Sequence, residues 1–243
     1  MKWWSTTRKW TKCLGQEFGT YSKAQLLSPE HKQATIEKMR KLRPFRLALT
    51  GKETKQASVL VPLCVDEHEK VCLLFNKRTG KMNSHSNEVS FPGGKAENGE
   101  TIIETALRET EEELSIKSKD IEIWGTLPAL GNKTGDMAVT PVIGRLLKEP
   151  FLPAKVDFCK GEVHEVFLMS MDDLQDPKVT RFTQFRVGNA FRSYSLPVYD
   201  AHPHRIWGLT AIIAHQFLSS FLPQHQHAMR YQRPLNLESP KSD

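Results

Sequence analysis

The chain has 243 residues, 39% of them hydrophobic, and no run of eighteen apolar residues, which suits one generous domain or a domain plus a tail and leaves no helix able to span a membrane. Residues 1–46 hold 11 Lys/Arg against 3 acids and the remaining 197 hold 23 against 25, so the formal charge of +6 belongs to the N-terminal segment. That split argues against a nucleic-acid-binding surface on the folded part, and four cysteines without a CxxC pair fit a reducing compartment.

Residues 1–45 read as a basic arm. No acid precedes Glu17, and Lys2, Arg8, Lys9 and Lys12 stand among Trp3, Trp4 and Trp10. An acid-poor, basic, amphipathic start is the composition of a mitochondrial transit peptide; a disordered basic tail or an interfacial anchor built on the tryptophans is the alternative. Ser28-Pro29-Glu30 then caps a helix through about Leu42, ended by Pro44, which packs on the domain or leads into it.

The domain spans about residues 46–225. Residues 57–65 and 70–78 predict two strands joined by the polar turn Asp66–Glu69, with Cys64 and Cys72 as buried thiols. The turn-rich stretch 79–95 ends in Phe91-Pro92-Gly93-Gly94, where two glycines let the backbone approach a phosphate or metal and free a carbonyl. Thr101 with Glu104 has capping-box spacing and predicts a helix onward to about Leu114.

At about 100° per residue this helix turns Ile102, Ile103, Ala106, Leu107, Thr110 and Leu114 to a core, and Glu104, Arg108 and Glu111 to solvent. Glu109, Glu112 and Glu113 gather on the edge of the apolar stripe. Like charges at that spacing repel by roughly a few tenths of a kcal/mol per pair. Their place in the last turn opposes the helix dipole, and partial desolvation adds to the strain. A hard divalent cation held by oxygen ligands would offset these penalties. A plain solvated acidic face is the competing reading; the glycine turn ahead of the helix favours the cation.

Farther on, Ile121–Leu127 and Ala138–Leu147 are strand-like, joined by a loop (130–137) suited to gripping substrate. Glu162 and Glu165 accompany strand-like Val163–Met169, and either could supply a further metal ligand or a base. Phe191–Tyr199 alternates like a strand. Residues 205–222 predict an amphipathic helix with Trp207 and Leu209 in the core, and His202 and His204 read as a turn before it. The residues from 226 onward read as a frayed tail.

The stretch Gly94, Glu100, Arg108-Glu109, Glu112-Glu113, Ile116 resembles the Nudix box, with every charged position at the family's spacing. Thr110 stands where the family has an apolar residue, and Ser115 where it has the glycine that ends the helix. A second resemblance is to the coenzyme A diphosphatase group of that family. Its pattern before the box is matched here by Leu74, Phe75, Arg78 and Phe91-Pro92-Gly93-Gly94, whereas Asn76, Thr79, Asn83 and Asn87 depart from it. Residues 162–170, 194–200 and 205–214 are similar to the mitochondrial branch of the group.

The resemblance implies an α/β/α sandwich with a mixed β-sheet, the box helix on one face and the C-terminal helix on another. It implies hydrolysis of the pyrophosphate of coenzyme A or an acyl-coenzyme A with Mg2+ or Mn2+. Glu109 and Glu113 would be the principal metal ligands, assisted by Glu112 and the Gly94 carbonyl. Glu112, Glu162 or Glu165 would be the base, Arg108 would hold Glu104, Glu112 or both in position, and Arg78 and Phe91 would meet the substrate. The alternatives are the same chemistry on another nucleoside diphosphate derivative, or a silent binding module of the same fold.

Overall fold

The computed structural model describes residues 21–43, 54–80, 88–131, 136–187, 192–223, 225 and 231–232. The transit-peptide reading, Cys13, Asn83 and Asn87, the centre of the 130–137 loop and most of the tail lie outside them.

Two helices lead into the sheet. The first, α1 (Lys23–Leu26), and the second, α2 (Pro29–Lys41), each begin at a serine whose side chain accepts a backbone N–H; α2 starts on proline, whose missing N–H is an orphan there anyway. Leu26 and Met39 are buried in the main core, so this segment is joined to the domain.

The first sheet is built from β1 (Lys55–Val65), β2 (Val71–Arg78), β3 (Val89–Ser90), β4 (Gly93–Lys95), β5 (Ile121–Thr126), β6 (Leu130–Gly131), β7 (Met137–Leu146) and β8 (Val163–Ser170), with α3 (Ile102–Leu114) between β4 and β5. The hairpin turn is fixed by Asp66 Oδ1, which accepts the N–H groups of His68 and Lys70. Near that turn β1 and β2 pair with each other, Leu63 opposite Leu73 and Val65 opposite Val71. Farther along they separate, and the segment 89–95 fills the gap. Its first half, β3, pairs with β2 and its second half, β4, with β1. The Leu60 N–H donates to the Pro92 carbonyl at 2.8 Å across this junction. The predicted glycine turn thus lies inside the sheet. On the outer side β1 runs parallel to β7, while β5, β6 and β8 are antiparallel to their neighbours, so the sheet is mixed.

Side chains alternate across a strand, and β1 and β2 use both faces. Leu60, Cys64, Cys72 and Leu74 pack with Ala106 and Leu114 of α3. Val61, Leu63, Leu73 and Phe75 face a larger core with α5 (Gly208–Phe221). Burial pushes the Cys64 thiol well up and the Cys72 thiol to about 12, as the sequence reading of inert buried cysteines requires.

Three features differ from expectation. The short α4 (Met171–Gln175) is followed by β9 (Thr180–Val187), β10 (Arg192–Ala201), β11 (His204–Ile206) and β12 (Tyr231–Gln232), a second antiparallel sheet of which only one strand was foreseen. The C-terminal helix starts at Gly208 rather than Arg205 and is not amphipathic. Every residue from Ala211 to Leu218 is buried, because α2 lies on one side of it and β10 on another. Trp207, expected in the core, is 48% exposed at the N-cap of that helix. His202 does form a turn, between β10 and β11. Among the described residues no helix is long and apolar enough to cross a membrane.

Candidate active site

The site is set by α3 and the strand segment beneath it. Thr101 and Glu104 exchange both capping-box hydrogen bonds, so Glu104 is committed to the helix start. At the other end Ser115 adopts φ 53°, a left-handed cap that a glycine would enter more cheaply. Between them the buried face holds Thr105, Ala106, Thr110, Glu113 and Leu114. Ile103, predicted inward, is exposed, and the Thr110 hydroxyl satisfies itself on the Ala106 carbonyl at 2.6 Å.

Glu113 is the most enclosed of the acids, its side chain 2% exposed. Asn76 Nδ2 donates to its Oε2 at 2.7 Å, and Arg78 Nη1 stands 3.6 Å from its Oε1. Burial raises its pKa to about 7; Arg78 pulls against that, and the neighbouring Glu109 and Glu162 charges push with it. Glu109 is also raised, first by burial, with Glu112 and Glu162 adding to it and Arg108 opposing. Glu112 is largely exposed.

Gly94 lies directly under Glu109. A Cβ at Gly94 would stand 2.6 Å from Glu109 Oε2, so the close approach needs glycine. Gly93 has φ 153° and pairs with Val59; a Cβ there would collide with the Ser58 carbonyl oxygen and the Val59 backbone.

Arg108 organises the rim. Its Nε donates to Glu100 Oε1 at 2.6 Å and Nη2 to Glu100 Oε2 at 3.2 Å, a bidentate grip. Its remaining reach goes to the Lys95 carbonyl, to Glu112 Oε2 at 3.1 Å and to Glu109 Oε1 at 3.0 Å. The guanidinium first, then the Glu97 backbone N–H, hold the Glu100 carboxyl down to about 2. Arg108 therefore holds Glu112, one of the two expected acids, but its bidentate partner is Glu100; the other expected acid, Glu104, is claimed by the helix cap.

Glu162 and Glu165 separate. The Cys159 N–H donates to the Glu113 carbonyl at 2.9 Å, and the Cys159 carbonyl accepts from Glu162, which hangs that acid beside the helix end. Its charge raises both Glu109 and Glu113. Glu165 faces the other way. Its Oε1 is 3.4 Å from His204 Nε2, and the His204 ring stacks on Phe167, which packs against the α5 core. A role for Glu165 beside the α3 acids is thus excluded by the alternation of β8. Phe91 is also corrected: it is 2% exposed and stacked on Phe75 at 4.8 Å, so its side chain anchors the glycine turn and offers no face to a substrate.

The donor chemistry suits a hard divalent cation: three carboxylates at one end of a helix, two of them held above their ordinary pKa by burial and mutual charge, with the Gly94 backbone directly under Glu109. As they stand, no three His, Cys, Asp or Glu side chains among the described residues are placed to hold a metal ion, so the carboxylates would have to draw together on it. Sequence reasoning passed over two partners. Asn76 is a fully buried polar residue directly after the apolar run Val71–Phe75 of β2, a signal present in the sequence. Glu100 was placed in the pattern without a partner.

A family model of the NUDIX domain matches residues 54–187, more than half of the chain. The chain belongs to the Nudix hydrolase family. These enzymes are pyrophosphatases acting on phosphorus-containing anhydrides and generally use divalent metal ions. The chain is 34% identical over 190 residues to Nudix hydrolase 3 of Caenorhabditis elegans, covering 73% of this chain and 78% of that protein. It is 36% identical over 169 residues to the mitochondrial coenzyme A diphosphatase NUDT8 of Homo sapiens, covering 69% and 70%. It is 33% identical over 165 residues to the uncharacterized Nudix hydrolase NudL of Pectobacterium atrosepticum, covering 68% and 81%. In this Nudix hydrolase α3 is the box helix, and its glycine turn is the β3–β4 segment.

Proposed function

We propose that the chain hydrolyses the pyrophosphate bond of coenzyme A or acyl-coenzyme A in the mitochondrion, giving (acyl-)4′-phosphopantetheine and adenosine 3′,5′-bisphosphate. The observation that carries this reading is the likeness to the coenzyme A diphosphatase NUDT8 across most of both chains. The basic, acid-poor arm supports the compartment.

Glu109 and Glu113, with Glu112 and the Gly94 carbonyl, would hold Mg2+ or Mn2+. Bound there, the ion neutralises phosphoryl charge and acidifies a water. Arg108 keeps Glu109 and Glu112 oriented through its grip on Glu100. Glu162 takes the proton of the attacking water: it stands beside the acids and Arg108 does not hold it, whereas Glu112 is tied to Arg108. Arg78, on the same face as Glu113, gives a charge-assisted contact to a substrate phosphate. Water adds across the P–O–P linkage; one phosphorus gains the hydroxyl, and the other leaves on the bridging oxygen.

A second reading, cleavage of another nucleoside diphosphate derivative such as ADP-ribose or a dinucleotide, is favoured by the departures at Asn76 and Thr79 from the coenzyme A pattern. Hydrolysis rates for coenzyme A, acyl-coenzyme A, ADP-ribose and dinucleotides, each with Mg2+ and with Mn2+, separate the two. Coenzyme A derivatives should have the highest kcat/KM; a panel led by ADP-ribose would transfer the assignment.

A further inference from the structure

Asn76 departs from the pattern of the coenzyme A diphosphatase group and is completely buried, yet it is not a packing residue. It sits in β2 among Val71, Cys72, Leu73, Leu74 and Phe75, where an apolar side chain would bury more simply. Both ends of its amide are engaged. The Ser90 hydroxyl donates to Asn76 Oδ1 at 2.7 Å, and Asn76 Nδ2 donates to Glu113 Oε2 at 2.7 Å. An ionised carboxylate only accepts, so it must meet the donating end of the amide; the serine hydroxyl, which can donate or accept, then satisfies the accepting end and holds the side chain in place. Asn76 and Ser90 are register partners of β2 and β3, and the chain runs from Ser90 through Phe91 and Pro92 into Gly93 and Gly94.

We propose that Asn76, held by Ser90, is a positioning residue that occupies one carboxylate oxygen of Glu113 and so turns the other, Oε1, toward a divalent cation. This rests on the reading of Glu113 as a metal ligand. The consequence is geometric. The strand that presents the Gly94 backbone also sets the rotation of the Glu113 carboxylate, so the two donors are registered to each other through one short relay. Oε1 is the oxygen directed toward Arg78, at 3.6 Å, beyond hydrogen-bond length. Groups that orient a ligand in this way typically change metal affinity by about 10–100-fold when removed.

The test is Mn2+ affinity measured by calorimetry on the full chain, which reads binding without turnover. Asn76→Leu keeps the volume and removes the amide; Ser90→Ala keeps Asn76 and removes its holder. Asn76→Leu should weaken Mn2+ binding by about 10-fold or more, and Ser90→Ala by about threefold. At saturating Mn2+ the KM for coenzyme A should stay within about twofold of wild type, since neither residue meets the substrate. A merely structural asparagine would lower the melting temperature in chelator and leave the Mn2+ affinity within about twofold of wild type, which overturns the proposal. Should Asn76→Leu fail to fold, Ser90→Ala decides alone: unchanged affinity overturns it. Glu113→Gln is the control for the underlying reading. If it too binds Mn2+ like wild type, Glu113 is not a ligand; if only Glu113→Gln weakens binding, the ligand stands and the relay falls.

Discussion

Glu113→Gln should stabilise the metal-free protein while abolishing its use of metal. Glu113 titrates at about 7 in the fold against 4.5 for the unperturbed group. A carboxyl whose folded pKa is raised binds its proton more tightly in the folded state. Its contribution is therefore fully present below the unfolded pKa and is lost as pH rises through about 7. At about 1.4 kcal/mol per pKa unit, the ionised group above that pH is worth roughly 3 kcal/mol of destabilisation. The Arg78 attraction is already contained in that balance. Glutamine carries no charge and still offers an oxygen to Asn76. For a domain of this size roughly 1 kcal/mol moves the melting temperature by about 2–4 °C. Thermal melts in chelator at pH 8 should place the glutamine variant about 6–12 °C above wild type, and the gap should close at pH 5, where Glu113 is protonated. Saturating Mg2+ should reverse the order, because only wild type gains binding energy. A glutamine variant that melts at or below wild type in chelator at pH 8 would mean that the buried Glu113 charge does not destabilise the fold.

Gly94→Ala places a Cβ 2.6 Å from Glu109 Oε2 and must displace that carboxylate; kcat should fall by about 100-fold, read by product release under saturating Mg2+. Glu162→Gln should lower kcat by about 100-fold or more with Mn2+ affinity little changed, whereas Glu165→Gln should stay within about twofold, both by steady-state kinetics. Ser115→Gly removes a side chain from a left-handed cap and should raise stability by roughly 1 kcal/mol in a denaturant titration without altering activity.

The box helix was legible nearly residue by residue, because capping, helical periodicity and the spacing of its acids are local signals. Its inner face was less so: Ile103 points to solvent while Thr105 and Glu113 are buried, since the sheet beneath, not hydrophobicity, selects the face. The strands β1, β2, β5, β7 and β8 carried alternating or continuous apolar runs. In the second sheet only β10 did; in β9 Phe182 and Phe185 stand three apart among threonine, arginine and glutamine, which breaks the period of two. The division of Glu162 from Glu165 depends on the turn that ties Glu162 to Cys159 ahead of β8 and on the face of β8 that Glu165 takes, and a register shift opposite Lys77 and Arg78 hides that from sequence. Of the partners of Arg108, helical spacing finds Glu112 and misses Glu100 for a related reason. Helical spacing offers Glu104, but the loop before the helix returns Glu100 to the same guanidinium. Trp207 shows the limit of composition, a large aromatic left at a helix N-cap in contact with solvent.

In the proposed reaction the crowded acids of α3 would hold a divalent ion with which the chain cleaves a phosphoanhydride of coenzyme A. Mass analysis of coenzyme A incubated with the purified chain tests it directly. With Mg2+ or Mn2+ present, 4′-phosphopantetheine and adenosine 3′,5′-bisphosphate should appear in equal amounts, and with chelator neither should form. Intact coenzyme A in the presence of bound Mn2+, or undiminished cleavage in chelator, would contradict it.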